Sequence, residues 1–255
     1  MDFDNLDDLY KYLSDEYGLI KYKDLTRDYA LKMHDDFIQK KYTTAYLVFN
    51  VNIWRTLSAY RVLLEGYKSL ESREFFVGQF ERNTSNETII ILLITAIEVF
   101  LRRGFINIAS VSTRNTVNCW YFPRFKRIFS LNDTDKLTDF INSNINLNKL
   151  LPPIEQLEFQ RSDVCSIAYK LCNIEISHID GELWRRIFSG EEDGYKKIRN
   201  NLIHGGFEAS VKYAKILNKD FIEGVILDIV NFAHKVDLNV VAEYPGDEFP
   251  QIYMK

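Results

Sequence analysis

The sequence predicts an all-α protein, on three observations. Apolar residues recur at helical spacing over long stretches, and no stretch alternates with the period of two that a half-buried strand needs. Only five prolines and eleven glycines interrupt 255 residues, which leaves room for long helices. A bundle is the simplest packing of such elements. The 46% hydrophobic and 14% aromatic content can build a proper core at this length and excludes a disordered chain.

Taken in order, Leu6, Leu9, Tyr10, Leu13 and Tyr17 fall on one face of a short helix capped near Asp4 or Asn5. A longer helix is expected from about Thr43 to Ser69, with Val48, Val51, Trp54, Leu57, Tyr60 and Leu64 as its apolar stripe. Gln79 to Asn86 is polar and reads as a linker ending in a helix N-cap. Thr88 to Arg103 is apolar nearly all round, the mark of a central, buried helix. Gly104 is expected to end it, with Arg102 and Arg103 in the last turn, where cations suit the helix dipole. Asn107 to Trp120, rich in Ser, Thr, Asn and Val, reads as irregular or briefly extended.

Leu150-Leu151-Pro152-Pro153 is a break, because proline disfavours helix at the residue before it. Asp133 to Ile141 and Asp163 to Cys172 carry modest helical patterns. Ser189-x-x-Glu192 has the form of a capping box leading into the next helix. A final helix is expected from about Lys219 to Val236, with Ile222, Val225, Ile226, Ile229, Ala233 and Val236 on its core face. The organisation is thus a helical region over 1–82, a helical domain over 83–240 and an irregular tail over 241–255.

Charge and cysteines narrow the function classes. A net charge of −4 and a pI near 5.7 supply no global field to draw in long duplex DNA, although a cleft gripping a few nucleotides needs none. Cys119, Cys165 and Cys172 are odd in number and lack C-x-x-C spacing, so neither a disulfide framework nor a zinc knuckle is implied. The acidic start, Met1-Asp2-Phe3-Asp4, does not have the layout of a signal peptide. The longest apolar stretch, Ile89 to Leu101, holds Thr95 and Glu98 and is too short to span a bilayer. A soluble, cytoplasmic protein without a membrane partner is expected. P-loop, nucleophile-elbow and H-E-x-x-H patterns are absent. His34, His178 and His234 have no companion at metal-ligand spacing, and neither metal nor cofactor is expected.

The most informative residues are Arg199-Asn200-Asn201-Leu202-Ile203-His204, followed by Gly205-Gly206. They supply a fixed cation, an amide and a titratable imidazole. RNA carries its own nucleophile, the 2′-hydroxyl, so a metal-free ribonuclease must align it, take its proton, stabilise phosphoryl charge and help the 5′-oxygen leave. Histidine can be base or acid near neutral pH, and arginine binds phosphate oxygens with a planar fork. Asn200 can donate to another oxygen or orient His204. On a straight helix Asn200 and His204 share a face, but Arg199 lies about 140° from His204. Two arrangements repair this: a helix end at Gly205-Gly206, or two copies of the helix facing each other across a two-fold axis. The bland reading is a chance Arg and His, with His204 capping a helix dipole.

Set in a helical chain, this pattern resembles the R-x(4–6)-H motif of HEPN domains, many of which are ribonucleases. Thr95-Ala96-Ile97-Glu98-Val99-Phe100-Leu101 looks like their first core helix, and the resemblance covers about residues 86 to 240. It implies a metal-independent endoribonuclease in prokaryotic antiviral defence or a toxin system, leaving a 2′,3′-cyclic phosphate and a 5′-hydroxyl. It further implies a homodimer with a composite active site, and an antitoxin or defence-system partner fits the same reading. His204 would be general acid/base, Arg199 the phosphate clamp and Asn200 an assistant. Relatives paired with a nucleotidyltransferase antitoxin carry a tyrosine where this chain has Gly206, so control by modification there is not expected. The alternative is a non-catalytic HEPN-like module that binds RNA or a protein.

Two more features bear on the site. Glu98, an acid in an apolar helix, needs a partner: either Arg102 one turn on, or Arg199 or His204 from a neighbouring helix. Trp120, Tyr121, Arg124, Lys126 and Arg127 interleave aromatics with cations in a way that suits unpaired bases and phosphates, as Lys197 does beside the motif. The competing reading of the aromatic run is a core or interface anchor.

Overall fold

The computed structural model describes residues 6–19, 42–70, 75–111, 159, 161–191 and 193–244. All elements among them are helices: α1 (Leu6–Tyr17), α2 (Thr44–Leu70), α3 (Phe75–Val111), α4 (Ser162–Leu171), α5 (Ile176–Ile179), α6 (Gly181–Phe188), α7 (Tyr195–Tyr213) and α8 (Lys219–Glu243). None is long and apolar enough to cross a membrane.

The centre is α3, which packs against α2, α4, α7 and α8. Its apolar composition explains the position: Ile89, Ile90, Leu93, Ile94, Ile97, Phe100, Leu101 and Phe105 are all buried, and only a narrow strip through Thr88, Leu92 and Thr95 meets solvent. Helix α2 runs antiparallel to it, with Asn107 Nδ2 donating to Thr44 Oγ1 at 3.0 Å near one end and Phe49 against Phe100 (5.3 Å between centroids) further along. The final helix keeps all six of its expected core residues buried.

Four local expectations are corrected. Helix α3 runs straight through Gln79–Asn86 and across position 82, where a linker and a boundary were expected. Ser85 and Asn86 are buried there, and Asn86 Nδ2 donates to the Leu217 carbonyl at 2.5 Å, so tertiary partners satisfy polar residues that look like a loop. Gly104 does not end the helix but lies inside it. A Cβ there would come within 2.6 Å of the Tyr169 hydroxyl, which donates to the Leu101 carbonyl at 2.8 Å. Glycine is the residue that lets α4 approach this closely. Ser189 forms no capping box: its hydroxyl accepts from Glu191 N at 2.9 Å, and α7 starts only at Tyr195, with Gly194 as N-cap. The core face of α2 is turned from the expected stripe toward Tyr46, Phe49 and Ile53; Leu57 and Tyr60 are common to both, while Val48 and Val51 are half-buried.

The N-terminal helices join the C-terminal one at a buried polar junction. Thr43 caps α2, its hydroxyl accepting from Tyr46 N at 3.2 Å and donating to Asp237 Oδ1, while Thr43 N donates to Asp237 Oδ2 at 3.2 Å. One turn earlier on α8, His234 is ringed by Tyr17, Tyr42 and Tyr46 at 5.5, 5.8 and 5.7 Å. Burial pushes the Asp237 carboxyl up to about 7, with the two Thr43 hydrogen bonds pulling it back.

That shift fixes a pH dependence. Below the ordinary value of 3.8 the group is protonated whether the chain is folded or not. Between there and about 7 the unfolded chain releases the proton first, so stability falls as pH rises, by up to about 1.4 kcal/mol per pH unit, and levels off above. Asp237→Asn should flatten that slope between pH 4 and 7 in urea titrations. An unchanged slope would mean the carboxyl is not buried as described.

Candidate functional site

The site is built where α3 and α7 run antiparallel. Glu98 on α3 faces Arg199 near the start of α7, whereas Glu87, eleven residues earlier, accepts from Ser210 Oγ at 3.0 Å near the end of α7. Eleven residues are close to three full turns, so both acids project from one face of α3.

Glu98 is buried and Oε1 has no hydrogen-bond partner among the described residues. Burial pushes its carboxyl up; the charges of Arg199, Lys196 and Arg102, in that order of strength, pull it back. Both partners proposed for it from sequence, Arg102 on its own helix and Arg199 on the next, therefore act on it. His204 does not. Arg199 is half-buried, and its Nη1 donates to Asn200 Oδ1 at 2.9 Å. Asn200 thus positions the arginine, and its Nδ2 can still donate.

His204 is exposed and follows Arg199 by a little over one turn, on a different face, as helix geometry requires. The backbone then breaks. Gly206 has φ 51° and ψ −133°, outside the helical region, so α7 consists of two helical stretches meeting there. His204 occupies the last turn of the first stretch. Two contacts brace the break. Asn201 Nδ2 donates to the hydroxyl of buried Tyr213 at 2.6 Å, and Ser210 Oγ donates to Glu87. Three large apolar residues nearby in sequence are exposed, Ile203 (43%) before the break and Phe207 (70%) and Val211 (60%) after it.

Of the sequence-predicted residues, Glu98, Arg199 and Asn200 come together, and His204 stands apart at the break. Lys197 is half-buried and outside the Glu98 cluster; its neighbour Lys196 is the lysine inside it. Trp120, Tyr121, Arg124, Lys126 and Arg127 lie outside the described residues. Sequence reasoning missed Lys196, Glu87, Asn201 and Tyr213. The signal for Lys196 was available, since it precedes Arg199 by three residues and Asn200 by four.

Gly206→Ala should cost about 1–3 kcal/mol, because this φ/ψ is essentially restricted to glycine although open space surrounds the position. Guanidinium unfolding would read it, and a loss under a few tenths would show that the break does not need glycine. In comparisons with family models, curated proteins and solved structures, nothing matches this chain.

Proposed function

We propose that the chain is an HEPN-like endoribonuclease that cleaves RNA without a metal and works as a homodimer. The observation that carries this reading is the display of His204: exposed, in the last helical turn before the break at Gly206, on the same helix as Arg199 and Asn200. Four groups would do the chemistry. His204 takes the proton of the 2′-hydroxyl, whose oxygen attacks phosphorus; the 5′-oxygen departs with a proton, leaving a 2′,3′-cyclic phosphate and a 5′-hydroxyl. Arg199, held by Asn200 and charge-balanced by Glu98, binds the non-bridging oxygens as negative charge builds.

A second copy is part of the proposal for a physical reason. One histidine cannot be base and acid in the same step, and Arg199 does not reach the face of His204 on its own helix. Pairing two copies of α7 across a two-fold axis supplies two histidines and two arginines to one cleft, and buries Ile203, Phe207 and Val211. A role in prokaryotic defence or as a toxin, with an antitoxin or defence-system partner, follows only from the resemblance of the motif. One observation favours the alternative of a non-catalytic RNA- or protein-binding module: Arg199 is turned toward Asn200 and Glu98, as a structural arginine would be.

Purified protein should cut single-stranded RNA in EDTA and leave DNA and 2′-deoxy-substituted RNA intact. His204→Ala should lower the rate by roughly 10²–10⁴-fold with the helical circular dichroism unchanged. Cleavage unaffected by that change would sink the mechanism; no cleavage by the unaltered protein would favour the binding module. Phe207→Asp should convert a dimer to a monomer in light scattering and reduce cleavage to the level of His204→Ala. Full activity as a monomer would remove the two-fold site.

A further inference from the structure

Buried amides are almost always hydrogen-bonded, and Asn50 is not. It is 3% exposed on α2, yet neither its Oδ1 nor its Nδ2 has a hydrogen-bond partner among the described residues. His234 repeats the pattern on α8, where its Nδ1 is shut off from solvent and likewise unpartnered among the described residues. An apolar side chain at either place would carry no such cost.

The helical register says what covers them. Tyr46, four residues before Asn50, donates its hydroxyl to the Tyr17 carbonyl at 2.9 Å. Arg61, eleven residues after Asn50, pairs with Asp7. Four and eleven residues are close to one and three full turns, so the three positions share a face of α2, and α1 lies along it from Tyr17 to Asp7. Helix α1 also packs against α8, where the Tyr17 ring stands edge-on to His234 at 5.5 Å. Both unpartnered groups therefore sit in the groove between α2 and α8 that α1 closes. Into that groove α1 buries Leu9, Tyr10 and Leu13. Its ion pair with Arg61 is exposed and contributes little. A helix of twelve residues is also marginal without its packing. Closing it leaves the polar atoms of Asn50 and His234 dry and unbonded; opening it gives them to water.

We infer that α1 is a detachable cover: it leaves the groove between α2 and α8 as a unit while the rest of the bundle stays folded, and Asn50 and His234 set how often it does so. This device is independent of the ribonuclease reading. Native-state hydrogen exchange of the full chain, followed through a series of low guanidinium concentrations, tests it. The amides of α1 should exchange faster than those of Ile94 and Ile97 in the core of α3, through an opening less sensitive to denaturant. Asn50→Leu should slow exchange in α1 roughly tenfold, because the closed form then buries an apolar group in place of an unbonded amide. His234→Phe keeps an aromatic ring among the three tyrosines and should slow it too, which keeps the test open if the leucine does not fit. Circular dichroism and the thermal melt of each variant control for folding. Exchange of α1 and α3 through one common opening, with the same dependence on denaturant, overturns the cover. So does an Asn50→Leu protein whose α3 amides gain protection while those of α1 do not, because something other than α1 then covers Asn50.

Discussion

A helix that is apolar on nearly every side has to be wrapped, and this requirement on α3 organises the molecule. From Ile89 to Phe105 it presents Ile, Leu and Phe to α2, α4, α7 and α8. At about 25 cal/mol for each Å² of apolar surface removed from water, such a helix dominates the favourable side of folding. The other helices then have little choice of place: each lays its own apolar face on α3 and on its neighbours. Gly104 shows how close that wrapping becomes, since the Tyr169 hydroxyl reaches a carbonyl of α3 only across a residue without a side chain.

Among the few buried polar groups of the described residues, two acids mark junctions between helices. Glu98 breaks the apolar surface of α3 where α7 crosses it, and gathers Arg199, Lys196 and Arg102. A buried carboxylate with one oxygen unbonded is costly, so its charge partners matter more than they would at the surface. Asp237 does the corresponding work at the start of α2, receiving both donors of Thr43 and tying α2 to α8. Burial favours its neutral form, and among the described residues no cation offsets it. The two acids therefore differ in character: one lies among cations, the other accepts the hydrogen bonds of Thr43.

The residues of the proposed chemistry lie along α7, whose two sides meet different surroundings. The inward side carries Arg199 and Lys196, whose charges act on Glu98; His204 is exposed, as are Ile203 before the break and Phe207 and Val211 after it. The break at Gly206 separates the helical turn bearing His204 from the stretch bearing Phe207 and Val211, and Asn201, Tyr213, Ser210 and Glu87 fix the angle between them. A phosphodiester gripped from one side and deprotonated from the other needs this division. So would a surface that first pairs with another copy.

Much of this was legible in advance. The core face of α8 follows from Ile222, Val225, Ile226, Ile229, Ala233 and Val236, because only one helical register buries them together. The break after His204 follows from two adjacent glycines, and the burial of Glu98 from its apolar neighbours. Other features were not. The register of α2 was ambiguous because apolar residues occupy most of its sides, and helix through Gln79–Asn86 was hidden because local propensity is a weak guide once tertiary contacts contribute. Lys197 was read as the lysine of the site, but a rotation of about 100° separates it from Lys196, the one in the Glu98 cluster. By itself the sequence determined the helical class and the central helix, and it supplied the residue types that the proposed chemistry would use, since these depend on composition and short-range periodicity. Only the tertiary structure decided which charges meet and where His204 stands, because those depend on how helices distant in sequence are turned toward one another.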